Sequence, residues 1–377
     1  MASRGRRRGH NEGSIYQRKD GRWAASISLE GRKRKTFYGK TRKEVQEQLK
    51  VALRDQQQGT LATGNKQTVE QFLEYWLEEV HKEAIRISTY VKYRALLDRY
   101  VFPAFKNVQL QKLTQQQVQA LYSRKSKDGL APETVRGIHR MLHKALDDAV
   151  LWGQVPRNVS DNVTLPRLAR REIRPLNREQ ARQLLDAAYE HRMEALLTVA
   201  LATGMRRGEI LGLHWKDMDF ENRSVQVRYS VDRIGKFGIM ESEPKTSSSR
   251  RKIMLPDFVI ESLEEHRTRQ AEARLKAGKA WQENDLVFCN IYGGFWDPAN
   301  LLTSFGKLLT DAGLPHMRFH DLRHSTATIL LTMGVHPKVV QELLGHTNIS
   351  LTMDTYSHVL PSMQRDAMDD LDDFFGE

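Results

Sequence analysis

The spacing of apolar residues changes period along the chain, and the changes limit what each part can fold into. Between residues 14 and 38 they alternate, with Trp23, Ala25, Ile27 and Leu29 on one face and turn signals at Asp20-Gly21 and Glu30-Gly31. A period of two bounded by such turns predicts a small three-stranded sheet. Thr41, with Glu44 three residues on, caps a helix expected to reach about Gln57 and to cover the apolar face of that sheet. The other face and its rims would then carry Arg18, Lys19, Arg22, Arg32, Lys33, Arg34 and Lys35. A small sheet with a basic face can lie in a DNA major groove. The plainer alternative is a basic tail that adds only nonspecific affinity.

Past a polar linker at residues 60–66 the period becomes helical. Thr68 caps a stripe of Phe72, Leu73, Trp76, Leu77 and Val80, and Ser88 opens a second helix that ends before Pro103. A third helix starts at Thr114. A fourth follows Pro132 and runs through Met141, Leu142, Ala145 and Leu146 to about Trp152. Four helices with short connections make residues 66–152 a bundle. His139 and His143 share a helical face, half of what a metal site needs. They are read as an ordinary surface or core pair without acidic or cysteine partners, and no metal site is expected. Residues 153–175 set Pro156, Pro166 and Pro175 among Arg167, Arg170, Arg171 and Arg174, which excludes a long helix and suits a basic linker lying along DNA. From 176 to 360 the pattern is again helical, interrupted by alternation at Ser224 to Tyr229 and Arg251 to Leu255 that predicts a small sheet. The expected fold is therefore multidomain and mainly α: a three-stranded sheet with one helix in residues 1–60, a helical bundle, a linker, and a mixed, mainly helical domain with a small sheet.

Charge is distributed unevenly over these parts. The 377 residues carry a net charge of +12. Residues 1–50 hold fifteen Lys/Arg against five Asp/Glu, a net of +10, whereas residues 361–377 hold one Arg against six acids, a net of −5. The basic end points to a polyanion, most simply nucleic acid. The acidic end, with Met363, Met368, Leu371, Phe374 and Phe375 at helical spacing, is read as an amphipathic tail that meets protein. Cys289 is the only cysteine, which excludes a disulfide framework. The Arg-rich start is not followed by an apolar stretch, and the longest apolar run, Ala195 to Ala202, is far too short to cross a bilayer. A cytoplasmic, nucleoid-associated protein without a membrane partner is expected.

Three separated strings carry candidate chemistry. The first is Thr203-Gly204-Met205-Arg206-Arg207-Gly208-Glu209, the second His320-Asp321-Leu322-Arg323-His324, and the third Leu343-Leu344-Gly345-His346 followed by Tyr356. A phenol is a poor nucleophile at neutral pH, so a tyrosine that attacks a phosphodiester needs cations around the phosphate and a nearby proton acceptor. Guanidinium groups neutralise the nonbridging oxygens through paired N–H donors as the phosphorus becomes pentavalent. Taken singly, each string has a plain reading: a charged helix start, a common HxxR, a half-buried tyrosine. Between the first two lies Pro244-Lys245-Thr246-Ser247-Ser248-Ser249-Arg250-Arg251, a polar turn between two expected strands.

In this order, Arg, Lys, HxxR, LGH and Tyr, the strings resemble the tyrosine recombinases, the integrases of phages and transposons. The resemblance spans the last 200 residues or so most closely and the whole chain more loosely. It implies Tyr356 as nucleophile, Arg206 and Arg323 as phosphate-binding arginines, and His346 at the scissile phosphate. It further implies His320 in proton handling, and Lys245 as the acid that protonates the leaving 5′ oxygen, with Lys252 and Lys236 as rivals. Glu209 matches an acidic position that supports the network, while Arg207, Arg250 and Arg251 are expected on the DNA backbone together with Arg170 and Arg171. The first 60 residues resemble arm-site-binding domains in layout, 66–152 a core-binding clamp, 176–360 the catalytic domain, and 361–377 a tail for subunit contacts. The implied reaction passes through a 3′-phosphotyrosine and a Holliday junction, and it uses no cofactor, ATP or metal ion. The implied partners are double-stranded attachment sites, three further copies in a tetramer, and accessory proteins such as a directionality factor or a host DNA-bending protein. The alternatives are a chromosome-dimer resolvase of the same family, a type IB topoisomerase, and a DNA-binding regulator without catalysis.

Overall fold

The structure, a computed structural model, describes residues 13–28, 34–57, 67–168, 174–243 and 250–345, with 368, 369, 372 and 375. It divides into two compact units, residues 1–170 and 171–377.

In the first unit, β1 (Ser14–Gln17), β2 (Trp23–Ser28) and β3 (Arg34–Gly39) form an antiparallel meander in chain order. Helix α1 (Arg42–Gln57) packs Val45, Leu49 and Ala52 against Ala25 and Ile27. Its first turn is held as expected, since the Glu44 N–H donates to the Thr41 hydroxyl at 3.2 Å. Register corrects one expectation. Lys35 is paired with Ile27 and Phe37 with Ala25, so Lys35 stands on the face that α1 covers, its ammonium 5.9 Å from the Phe37 ring. Because side chains alternate, Arg34 shares the opposite face with Thr36 and Tyr38. There the small Ala24 lies between Tyr16 and Tyr38, both about half exposed.

The bundle follows. Helix α2 (Val69–Tyr75) opens with a Thr68/Gln71 capping box and buries Phe72 and Leu73. The chain then widens to one i→i+5 turn over Trp76–His81. The widened turn rotates the face, so Trp76 and Leu77 remain buried while Val80, expected on the same stripe, turns out to solvent. Helix α3 (Ile87–Leu96) begins one residue before Ser88, with Arg86 at its cap position. It continues through a second widened turn, Leu97–Val101, into α4 (Phe102–Phe105), which contains Pro103. Proline has no N–H to give and its ring crowds the preceding turn, and the widened turn accommodates both. Helices α5 (Gln115–Lys127) and α6 (Pro132–Leu151) complete the bundle, and the Trp76 indole N–H donates to Asp148 at 2.8 Å.

The chain does not leave the bundle at residue 153. Val155 and Ser160 are buried, Asn158 donates to the His143 carbonyl and to Asp147, Gln119 and Thr164 bond reciprocally, and Arg136 donates to the Pro166 carbonyl. Residues 153–168, expected as a linker, are thus the bundle's outer strap. Arg170 and Arg171 lie outside the described residues.

The second unit is built around α8 (Glu194–Thr203), apolar on nearly all sides and accordingly buried. Around it stand α7 (Arg178–Ala187), α9 (Arg207–Leu211), α10 (Asp257–Ala277), α11 (Pro298–Asp311), α12 (Asp321–Thr332) and α13 (Pro337–Leu344). The sheet expected near residues 225–255 is present as two pieces. Strands β4 (Met218–Asp219), β5 (Ser224–Gln226) and β8 (Lys252–Met254) form one; β6 (Ser230–Arg233) and β7 (Ile239–Ser242) form a separate hairpin. Among the described residues no helix is long and apolar enough to cross a membrane.

Candidate active site

Helix α8 ends at Gly204, whose φ of +61° favours glycine and whose position leaves no room for a Cβ, which would stand 2.4 Å from Leu344 Cδ2. The Gly204 carbonyl accepts from Arg323 Nη1 at 2.8 Å. Arg323, on the first turn of α12, is only 3% exposed, and the Thr326 hydroxyl one turn later donates to the Leu201 carbonyl at 2.9 Å. The HxxR string is thereby docked on the end of α8, beside the Thr-Gly-Met-Arg turn.

Arg206 is the cap residue of α9. Its N–H donates to one Glu209 oxygen at 3.0 Å and its Nη1 to the other at 2.7 Å. Buried Glu209 also accepts from Arg251 Nη2 at 3.0 Å. Burial alone would raise the Glu209 carboxyl, but Arg251 and Arg206 outweigh it and hold it below the usual carboxylate range. Each arginine has a second anchor: Arg251 Nε donates to the Leu343 carbonyl at 2.7 Å and Arg206 Nη2 to the Gly345 carbonyl at 3.3 Å. These carbonyls belong to the C-terminal end of α13, where orphan acceptors attract cations. The next residue along the chain is His346. Lys245, His346 and Tyr356 themselves lie outside the described residues, as do Arg32 and Lys33.

His320 precedes α12 and is open to solvent on one side. Burial of the rest of its ring, and then the Arg323 guanidinium, push its pKa below the ordinary histidine value. His324, its ring 5.5 Å away, is pushed down to about 4, first by burial and then by His320. Both imidazoles are therefore neutral at physiological pH, and a neutral imidazole can accept a proton.

The site has a second wall. Helix α9 lies directly on the β6–β7 hairpin because Gly208 and Gly212 present no side chains. A Cβ on Gly208 would meet Ser230 Oγ at 2.5 Å and the Val231 carbonyl at 3.0 Å; one on Gly212 would meet the Tyr229 backbone at 3.0 Å. Arg207 is ion-paired with Asp232 on that hairpin at 3.3 Å.

Residues 174–363 match the model described as the phage integrase family, and residues 68–126 match that of the phage integrase N-terminal SAM-like domain. The chain belongs to the phage integrase family. A protein named tyrosine recombinase XerC-like, from Caldanaerobacter subterraneus, is 32% identical over 360 residues, 91% of this chain and 92% of the relative. An integrase of Saccharopolyspora erythraea is 25% identical over 100% of this chain and 99% of its own length. Among solved structures, the Tn1549 transposon integrase in complex with transposon right-end DNA has a TM-score of 0.69 at 22% identity, covering 81% of this chain and 99% of that one, a likeness of fold.

Within this integrase-family fold several basic residues have moved from their expected places. Arg251, expected on the DNA backbone, is turned inward with its side chain 9% exposed and binds Glu209. Arg250 is paired with Glu243. Arg18, Lys19 and Arg22 stay on the β1–β2 rim, Arg22 bonded to Asp20 at 2.8 Å. Arg34 faces solvent. In the bundle His143 does have acidic partners, contrary to expectation: Asp147 at 3.0 Å on Nδ1 and Asp161 at 3.1 Å on Nε2. Asp161 comes from the strap, which sequence spacing does not bring to α6. Sequence reasoning also passed over Gly204, Gly208 and Gly212, although the Gly-x-x-x-Gly spacing in a short helix was a readable sign of close backbone packing.

Proposed function

We propose that this chain is a site-specific recombinase that cuts and rejoins DNA strands to integrate and excise a mobile element. Tyr356 attacks the scissile phosphorus, the 5′ oxygen leaves with a proton from Lys245, and the strand is held as a 3′-phosphotyrosine. A free 5′ hydroxyl from the partner duplex then reverses the step. One diester is exchanged for another, so the bond count balances. Arg206 and Arg323 bind the nonbridging oxygens, His346 adds a donor there, and neutral His320 takes the tyrosyl proton. Two duplexes have four strands to cut, and one tyrosine per strand calls for four copies. A directionality factor and a host DNA-bending protein would select the direction.

The observation that carries this reading is the Glu209 clasp. One buried carboxylate holds Arg206 and Arg251, each of which gives a further donor to a carbonyl, of residue 345 and 343 respectively, just before His346. The test is covalent capture on a nicked suicide substrate, read as a protein band shifted by its attached DNA. Capture by Tyr356→Phe equal to that of the parent would overturn it.

Chromosome-dimer resolution within the same family is the second reading, and one relative is named a tyrosine recombinase, not an integrase. The basic three-stranded sheet favours integration, because it offers a second DNA-binding module for arm sites. A chain starting near Lys66 should still cleave isolated core sites yet fail to recombine full attachment sites. Equal recombination of full sites by the shortened chain would favour the resolvase.

A further inference from the structure

His214 is buried and lies outside the catalytic set. It follows α9 and is anchored by its backbone, pairing with Leu286, while the Val287 N–H donates to the neighbouring Leu213 carbonyl at 2.8 Å. Its ring is only 10% exposed. Nε2 is 2.7 Å from a Glu241 carboxylate oxygen, and Nδ1 is buried with no hydrogen-bond partner among the described residues. Tyr229 flanks the ring at 5.1 Å. A largely buried imidazole–carboxylate pair with one nitrogen unsatisfied gains little net stability, which leaves its geometry as the property to explain.

Its position indicates what geometry it serves. Glu241 lies on β7, opposite Val231 of β6, and Val231 is where Gly208 of α9 meets the hairpin. Lys245 is four residues beyond Glu241 in the chain. The segment 244–249 that carries it is bracketed by ion pairs. Glu243 and Arg250 pair with each other across its two ends. On the near side Glu241 is tied to His214; on the far side Arg251 is tied to Glu209. Both outer ties run to the same short stretch, α9 and its exit, which also carries Arg206.

We infer that His214 and Glu241 are a positioning pair that fixes the end of β7, four residues before Lys245 in the chain, relative to α9 and Arg206, so that leaving-group protonation is aligned with phosphate binding. The inference rests on the reading of Lys245 as the general acid. Loss of the pair misplaces the acid and spares the arginines, because Arg206 retains Glu209 and Gly345.

The test compares cleavage by the full-length protein of suicide substrates with an ordinary 5′ oxygen or with a 5′-bridging sulfur, which leaves without a proton. His214→Ala and Glu241→Ala should cleave the oxygen substrate about tenfold to a hundredfold more slowly, bind DNA as the parent does, and recover most of the rate with sulfur. His214→Gln, which can still donate to Glu241, should restore most of the oxygen rate. Lys245→Ala is the control for the acid and Arg206→Ala the control that sulfur should not rescue. If sulfur fails to rescue Lys245→Ala, the general-acid reading falls and this inference with it. If Lys245→Ala is rescued while His214→Ala and Glu241→Ala stay equally slow on both substrates, or if both variants cleave at the parental rate, the pair has no positioning role. Should His214→Ala not fold, Glu241→Ala alone decides, since it removes the acceptor at a side chain that is 24% exposed.

Discussion

Arg251 and Arg22 carry the same charge and stand in opposite relation to water. The first, in the catalytic unit, has a side chain 9% exposed and bonds to Glu209; the second, on the rim of the N-terminal sheet, is 62% exposed and leans on Asp20. The difference is general to the two regions. Around Glu209 and Gly204 the guanidinium groups are oriented by a buried carboxylate and by carbonyls, so the cost of arranging them is met on folding and none remains for the reaction. On the sheet the cations keep their hydration and their freedom, which suits them to release counterions from a phosphate backbone. One region uses charge as fixed geometry, the other as affinity.

The largest effects should come from the first region. Tyr356→Phe removes only a hydroxyl and should abolish covalent capture while binding survives in a mobility-shift assay. Arg206→Ala and Arg323→Ala should each slow cleavage on the order of a hundredfold or more in single-turnover kinetics, and His346→Ala likewise. Arg206→Lys should be nearly as damaging, because an ammonium cannot bond both Glu209 and the Gly345 carbonyl in one fork. Full activity in Arg206→Lys would mean that the charge alone matters and that the contrast between the regions is false.

Next in size is a change that adds one carbon. A methyl group at Gly208 must displace Ser230 or the Val231 carbonyl, at 2.5 and 3.0 Å, and so lift α9 from the hairpin. Gly208→Ala should cost about 1–3 kcal/mol in thermal or denaturant unfolding, as overpacking does. It should also slow cleavage about tenfold or more, because Arg206 and Glu209 ride on that helix. Stability lost without any loss of rate would separate the hairpin contact from the site.

The contrast also explains what could be read from the sequence. The element types were legible because period and caps agree with the packing: Thr68 with Gln71, Thr114 with Gln117, and the alternation of Trp23 to Ile27 all act as local signals. The basic string Arg32 to Lys35 gave no register, so only pairing with Ile27 reveals that Lys35 faces α1. Val80 and Pro103 were misplaced because a widened turn leaves no trace in composition. Glu209 was legible from its spacing to Arg206. Its hold on Arg251, 42 residues on, and the approach of Asp161 to His143 are tertiary facts that no spacing carries.

A pH series separates the regions on a finer scale. Burial pushes the pKa of His320 down, and that of His324 to about 4, so in the folded chain each takes up its proton at a lower pH than a free histidine, whose pKa is near 6.5. The unfolded chain binds protons first as pH falls below about 6.5, so stability should decline on acidification through that window and be fully present above it. Cleavage, if His320 accepts the tyrosyl proton, should begin to fall at a lower pH than a free histidine would impose. His324→Asn should flatten the acid decline in melting temperature between pH 6.5 and 4. An unchanged profile would mean that the His324 ring carries no such penalty.

The smallest effect should be found on the sheet, and it concerns the slope with salt more than the rate. Arg34 faces solvent on the same sheet face as Tyr38, at the other end of β3, and Arg18 lies 5.2 Å from the Tyr38 ring. If each meets one phosphate, Arg34→Ala and Arg18→Ala should weaken binding to any duplex by similar factors and lower the slope of log affinity against log salt by about 1 apiece. Lys35→Ala, on the face that α1 covers, should leave the slope alone. Cleavage of a pre-bound suicide substrate should be the same in all three, and the deficit of Arg206→Ala should be equally large at low and high salt. A loss that is restored at low salt belongs to affinity, and one that salt does not touch belongs to geometry. If Arg34→Ala instead slows cleavage of bound DNA, the sheet reaches the chemistry and charge in the two regions cannot be divided in this way.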